Sequence, residues 1–125
     1  MLIGKDERRL FRLEEANSLL PLVSRITSNY KSLVENKMLI LEQVSTSKPE
    51  ILNELEAEID TLIDEWKSKM RRLGAKPAGL WHLDFDHGSG YYCWKYPEEK
   101  ISYEHAYREG FSSRKRVSES LLQFE

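Results

Sequence analysis

The sequence predicts an α+β fold, in which a long antiparallel helical hairpin packs on a three-stranded antiparallel β-meander. Residues 5–73 contain no glycine and carry apolar side chains at helical spacing. All three histidines, the one cysteine and five of the six tyrosines lie between residues 81 and 107. In that region the pattern changes to short alternating runs separated by glycine and proline, which is typical of strands and turns.

The first predicted helix follows apolar residues that step by four and three. This stripe contains Leu19, Val23, Ile26, Tyr30 and Leu33. Two starts remain open, because Asn17 can cap a helix that begins at Ser18. Alternatively, the helix begins earlier with Glu14 and Glu15 in its first turn, where their charge suits the positive end of the helix dipole. Pro21 predicts a kink or a short break because it has no backbone N–H donor.

A turn at residues 45–47 leads into the second predicted helix. Ser47 and Glu50 have the spacing of a capping box, and Pro49 is tolerated in a first turn. The apolar face of this helix contains Leu52, Leu55, Ile59, Leu62, Trp66, Met70 and Leu73. Gly74 ends it, since glycine readily adopts the left-handed conformation found after a helix. The short turn makes the two helices antiparallel neighbours over about residues 14–73.

The three predicted strands lie within about residues 80–107, at 81–85, 91–96 and 101–107. Ordinary loop lengths pair both Asp84 and His105 with Tyr92 of the middle strand. His82 then shares one face of the sheet with these two residues, and Cys93 lies on the other face. We assign residues 1–117 to a single domain and residues 118–125 to a C-terminal tail.

His82, Asp84 and His105 are candidate ligands of a divalent transition metal, because imidazole and carboxylate groups on one face can converge on an ion. Three protein ligands would leave a position open for water. A structural role is the alternative, with His82 and Asp84 at the rim and His105 bonded to Asp84 in the core. The spacing of these residues matches no established zinc motif.

Two further groups are candidates for catalysis or ligand binding. Cys93 as a nucleophile needs a base within hydrogen-bond reach, but the predicted pairing puts His105 on the opposite face, which favours a buried structural cysteine. The turn at residues 110–114 suggests ligand binding, with Arg114 clamping an anion. Equally, Arg114 can form a salt bridge with Glu15 or Asp84. Arg114 and Glu15 are the candidate ligand-binding residues.

The charge balance argues against several classes of partner. The net charge is −2, and residues 74–111 carry four basic and six acidic residues, which disfavours nucleic acid as a partner despite the aromatic content.

The sequence has no apolar run of membrane-span or signal-peptide length. One cysteine cannot form an internal disulfide, so we expect a cytoplasmic protein. The wide apolar faces of the helices predict a homodimer formed through them.

Several motifs, in order, resemble a bacterial family known only as domain of unknown function 2203. They are FRLEEANSLLP at residues 11–21, Leu83-Asp84-Phe85, Tyr92-Cys93-Trp94-Lys95, His105, and Gly110-Phe111 with Arg114. The chain departs from the family at Arg12, where threonine is usual, at Glu104, where tryptophan is usual, and at residues 112–113. The resemblance implies a small bacterial protein and assigns no activity. Two functions remain open: a non-catalytic interaction module, or a metal- or small-ligand-binding protein, perhaps an enzyme, that uses the sheet.

Overall fold

The computed structural model describes residues 9–44 and 46–117. Two helices, α1 (Leu13–Gln43) and α2 (Pro49–Arg72), precede one antiparallel sheet. The sheet contains β1 (Lys76–Gly79), β2 (His82–Asp86), β3 (Tyr91–Lys95), β4 (Tyr103–His105) and β5 (Lys115–Arg116), adjacent in that order. The α+β class and the helical hairpin are confirmed, whereas the prediction of three strands is wrong because the sheet has five. The predicted tail at residues 118–125 lies outside the described residues.

The start of α1 corresponds to the earlier of the two predicted positions. Glu14 and Glu15 lie in its first turn, and the Glu15 carboxylate accepts a hydrogen bond of 2.9 Å from the backbone N–H of Arg12. Asn17 is not the cap; its side-chain oxygen accepts a 2.7 Å hydrogen bond from the backbone of Ile101. This bond ties the beginning of α1 to the segment before β4. The helix continues through Pro21 without a break.

Helix α2 begins at Pro49 with Lys48 in the cap position, so Ser47 is not the N-cap that the predicted capping box requires. Gly74 has a φ of 93° directly after the helix, as its sequence position predicted. The two helices are joined inside the core by the indole N–H of Trp66, which donates a 2.8 Å hydrogen bond to the hydroxyl of Thr27. This bond satisfies both buried polar groups.

The two strands missed from the sequence lie at the sheet edges. Strand β1 contains Pro77 and Gly79, residue types that are depleted in strands, and its pairing with β2 is irregular between them. Trp81, predicted as a strand residue, instead lies in the turn after β1 with a φ of 62°. Its ring packs edge-on against Trp66 at 5.0 Å. Strand β5 has two residues and pairs with β4.

The register differs by one residue from the prediction in both hairpins. Asp84 pairs with Cys93, and His105 pairs with Tyr91, so neither pairs with Tyr92. Both hairpins share β3, and the two shifts therefore move only the side chains of β3 to the opposite face. Between β2 and β4 the two shifts add to a displacement of two residues, so Asp84 lies across β3 from Tyr103 rather than from His105. A displacement of two residues leaves the side chains of β2 and β4 on their predicted faces.

The hydrophobic core lies between the helices and one face of the sheet. Leu83, Phe85 and Trp94 supply that face and are fully buried. The helices contribute Ala16, Leu20, Val23, Val34, Ile59, Trp66 and Met70. Because side chains alternate along a strand, the residues between these three point to the other side of the sheet.

Candidate functional site

A cleft of about 340 Å³ lies on the face of the sheet opposite the helices. Its lining contains Lys76, Pro77, Ala78, His82, Asp84, Tyr91, Cys93, His105, Tyr107, Glu109, Gly110 and Phe111. Strands β1 to β4 supply most of these residues, and the segment before β5 supplies the rest. The cleft therefore combines ionisable groups from the sheet with aromatic walls.

Asp84 and His105 form a buried pair in this cleft, each 6% exposed. The carboxylate oxygen Oδ1 of Asp84 lies 2.9 Å from Nε2 of His105, which confirms the predicted contact between these residues. The other ring nitrogen, Nδ1, lies 2.9 Å from the carbonyl oxygen of Ala106. Burial acts to lower the pKa of His105, but these two acceptors outweigh it and the net pKa is raised. Both ring nitrogens of His105 therefore face oxygen atoms, an arrangement that favours the protonated imidazole.

Cys93 belongs to this cluster, contrary to the sequence prediction that strand alternation separates it from His105. The residue is 2% exposed, and its sulfur lies with the ligand atoms of Asp84 and His105 inside a group spanning at most 4.8 Å. Burial, assisted by the Asp84 charge, raises the pKa of Cys93 to about 11. With both nitrogens of His105 engaged by oxygen atoms, the arrangement does not support a thiolate nucleophile activated by a histidine base.

His82 lines the same cleft but lies outside the cluster of converging ligand atoms. Its ring packs against Phe111 with a centroid separation of 4.8 Å. Burial, with the charges of Lys95 and Arg114, lowers the pKa of His82. The structure therefore brings together two of the three predicted metal ligands, Asp84 and His105, and adds Cys93 where the prediction had His82.

Arg114 forms its ion pair with Glu98, at 2.9 Å between Nη2 and Oε2. Its guanidinium carbon lies 4.0 Å from the ring centroid of Phe111, at the edge of the cleft. Glu15, the other residue predicted to bind a ligand, is engaged by Arg12 instead. The positive charge of Arg114 also acts to lower the pKa of the Cys93 thiol, although burial outweighs it.

A second surface of interest is an apolar stripe along α1, defined here as Leu22, Ile26, Leu33 and Ile40. Three of the four side chains are exposed: Leu22 by 36%, Leu33 by 48% and Ile40 by 49%. Ile26 is half-buried. Within the described residues, no helix is long and apolar enough to cross a membrane.

The fold and the cleft define a two-helix α+β protein with a buried Asp–Cys–His cluster on the outer face of its sheet. The chain matches the family model of the uncharacterized conserved protein DUF2203 over residues 9–117, and it belongs to that family. No curated protein and no solved structure matches the chain significantly.

Proposed function

We propose that this protein is a non-catalytic interaction module that forms a homodimer through its helical hairpin. The supporting observation is the apolar stripe on α1, where Leu22, Leu33 and Ile40 are 36–49% exposed. Isolated exposed leucines are common on protein surfaces, but apolar side chains that recur along one line of a helix with polar borders are typical of a binding surface.

The spacing of the stripe fits a helix as the binding partner. Ile26, Leu33 and Ile40 are seven residues apart, so they lie on one line along α1. Asn29 and Asn36 are exposed beside that line at the same seven-residue interval. In paired helices, apolar residues at this interval form the seam, and buried asparagines fix the alignment of the partners. The pattern therefore favours, as the binding partner, a helix that lies parallel or antiparallel to α1 rather than a flat protein surface.

A second copy of this chain supplies such a helix, and twofold self-association is the commonest form of oligomer. Helix α1 has 31 residues and is therefore about 46 Å long. A face of two adjacent helices is about 20 Å wide, which gives an area of roughly 900 Å². A standard stable interface needs about 800 Å² from each partner, so one face of the hairpin is sufficient.

The oligomeric state of the full chain tests this proposal. Light scattering over a range of concentrations should give the mass of a dimer. Leu33→Glu with Ile40→Glu should shift the protein to monomer, because two charges would be buried in the seam. Leu39→Glu is the matched control: Leu39 is 56% exposed but is turned about 120° from Leu33 around the helix. A monomeric wild type at high micromolar concentration, or equal dissociation by the control, would refute the proposal.

We also propose a cytoplasmic location. The one cysteine of the chain is a buried free thiol, which is typical of proteins in a reducing compartment. The balanced charge, with 19 basic and 21 acidic residues, favours a protein partner over nucleic acid.

A further inference from the structure

We propose that Asp84, Cys93 and His105 bind a divalent transition metal ion, with zinc the preferred ion. The site lies on the outer face of the sheet, and its operation does not depend on helical self-association. It replaces the ligand set read from the sequence, since Cys93 takes the place of His82.

The geometry of the three donor atoms carries the proposal. They come from three adjacent strands and lie within 4.8 Å of one another. In a tetrahedral zinc site, bonds of about 2.0–2.3 Å place the ligand atoms roughly 3.3–3.8 Å apart. The sulfur of Cys93 needs to move inward by at most about 1 Å, and the 2.9 Å contact between Asp84 and His105 needs to open slightly. Side-chain rotations of this size leave the strands in place.

The orientation of His105 is already that of a metal ligand. Its Nδ1 lies 2.9 Å from the carbonyl oxygen of Ala106, and Nε2 points toward Asp84 and Cys93. Metal-binding histidines usually donate one ring N–H to a carbonyl or carboxylate, which fixes the ring and leaves the other nitrogen for the ion. Ala106 provides this support without a further side chain.

The mixture of donors favours zinc over the hard cations. Thiolate and imidazole ligands select zinc and other late transition metals, whereas magnesium and calcium prefer oxygen atoms alone. A bound ion would also deprotonate the thiol of Cys93, which burial otherwise keeps protonated. The positive charge of Arg114, which already acts to lower the pKa of Cys93, would stabilise the resulting thiolate.

The surroundings provide access and one vacant coordination position. All three ligands are buried, with exposures of 6%, 2% and 6%, yet they line a cleft of about 340 Å³. Three protein ligands and an open cleft leave a fourth position for water or for a small anionic ligand. Lys76 borders the cleft and adds a positive charge near that position.

Cobalt(II) and zinc(II) titrations of the full chain, purified without a histidine tag and treated with chelator, test the proposal. The wild type should bind one equivalent of cobalt and show thiolate-to-cobalt charge-transfer absorption in the near ultraviolet. Cys93→Ser should lose that absorption. His105→Gln and Asp84→Asn should each weaken zinc binding at least about 100-fold. Circular dichroism of each variant establishes that it is folded.

His82→Gln is the matched control, because His82 lines the same cleft but lies outside the donor cluster. It should keep cobalt affinity within about 3-fold of wild type and keep the charge-transfer absorption. Three results overturn the proposal: no cobalt uptake by the wild type, unchanged cobalt spectra in Cys93→Ser, or loss of binding in His82→Gln equal to that in His105→Gln.

Discussion

Replacement of Gly90 by alanine should destabilise the protein by forcing the end of β4 away from β3. A Cβ atom at position 90 would lie 2.6 Å from the carbonyl oxygen of His105. That oxygen belongs to the backbone of a buried residue, so it cannot turn aside as a flexible side chain would. Contacts of this kind are not seen below about 3.0 Å, and the strands must therefore separate by roughly half an ångström.

The magnitude follows from two opposing effects. Overpacking of a well-packed region costs about 1–3 kcal/mol. Replacement of glycine by alanine also stabilises the fold by about 0.4–1 kcal/mol, because alanine has less conformational freedom than glycine in the unfolded chain. We therefore expect Gly90→Ala to lower the free energy of unfolding by about 1–2 kcal/mol. For a chain of 125 residues this is a fall of about 4–10 °C in Tm.

Urea denaturation and calorimetry of wild type and variant measure this difference. Gly110→Ala is a control of the same chemistry, because a Cβ there meets no atom within 4 Å and Gly110 has an extended backbone. It should be neutral or slightly stabilising. Equal stability of the two alanine variants would show that the contact between β3 and β4 is not as tight as the structure indicates.

Three other predictions concern the buried polar groups. Thr27→Val should cost about 1–3 kcal/mol in urea denaturation, because the indole N–H of Trp66 loses its acceptor; a cost below 0.5 kcal/mol would contradict this. Cys93, with its pKa raised to about 11, should react with iodoacetamide at neutral pH at least about 100-fold more slowly than free cysteine, and a similar rate would disprove its burial. In chelator-treated protein, the raised pKa of His105 means that its pairing with Asp84 stabilises the fold fully below about pH 6.5 and less as pH rises through the folded-state pKa. The destabilisation caused by His105→Gln should therefore be larger at pH 5.5 than at pH 8.5, and the opposite trend would contradict the sign of the shift.

Both helices could be predicted because their signals are local. Apolar residues at helical spacing, the acidic first turn at Glu14 and Glu15, and the terminating Gly74 each act within one or two turns of the chain. The edge strands gave no comparable signal. Strand β1 contains proline and glycine, and β5 has only two residues, so the pairing with β2 and β4 creates them.

Part of the candidate site could be predicted because side chains alternate between the two faces of a strand. Strand alternation placed Asp84 and His105 on one face, and that prediction is confirmed because the two one-residue errors in register add to two residues between β2 and β4, which keeps both side chains on the same face. Strand β3 is displaced by one residue relative to each neighbour, so the sequence prediction placed Cys93 on the wrong face. Register depends on whether the loop at residues 87–90 closes with three, four or five residues, and its two glycines permit each length. The sequence alone thus determined the helices, the α+β class and the chemical groups available, whereas tertiary packing decided which of those groups meet.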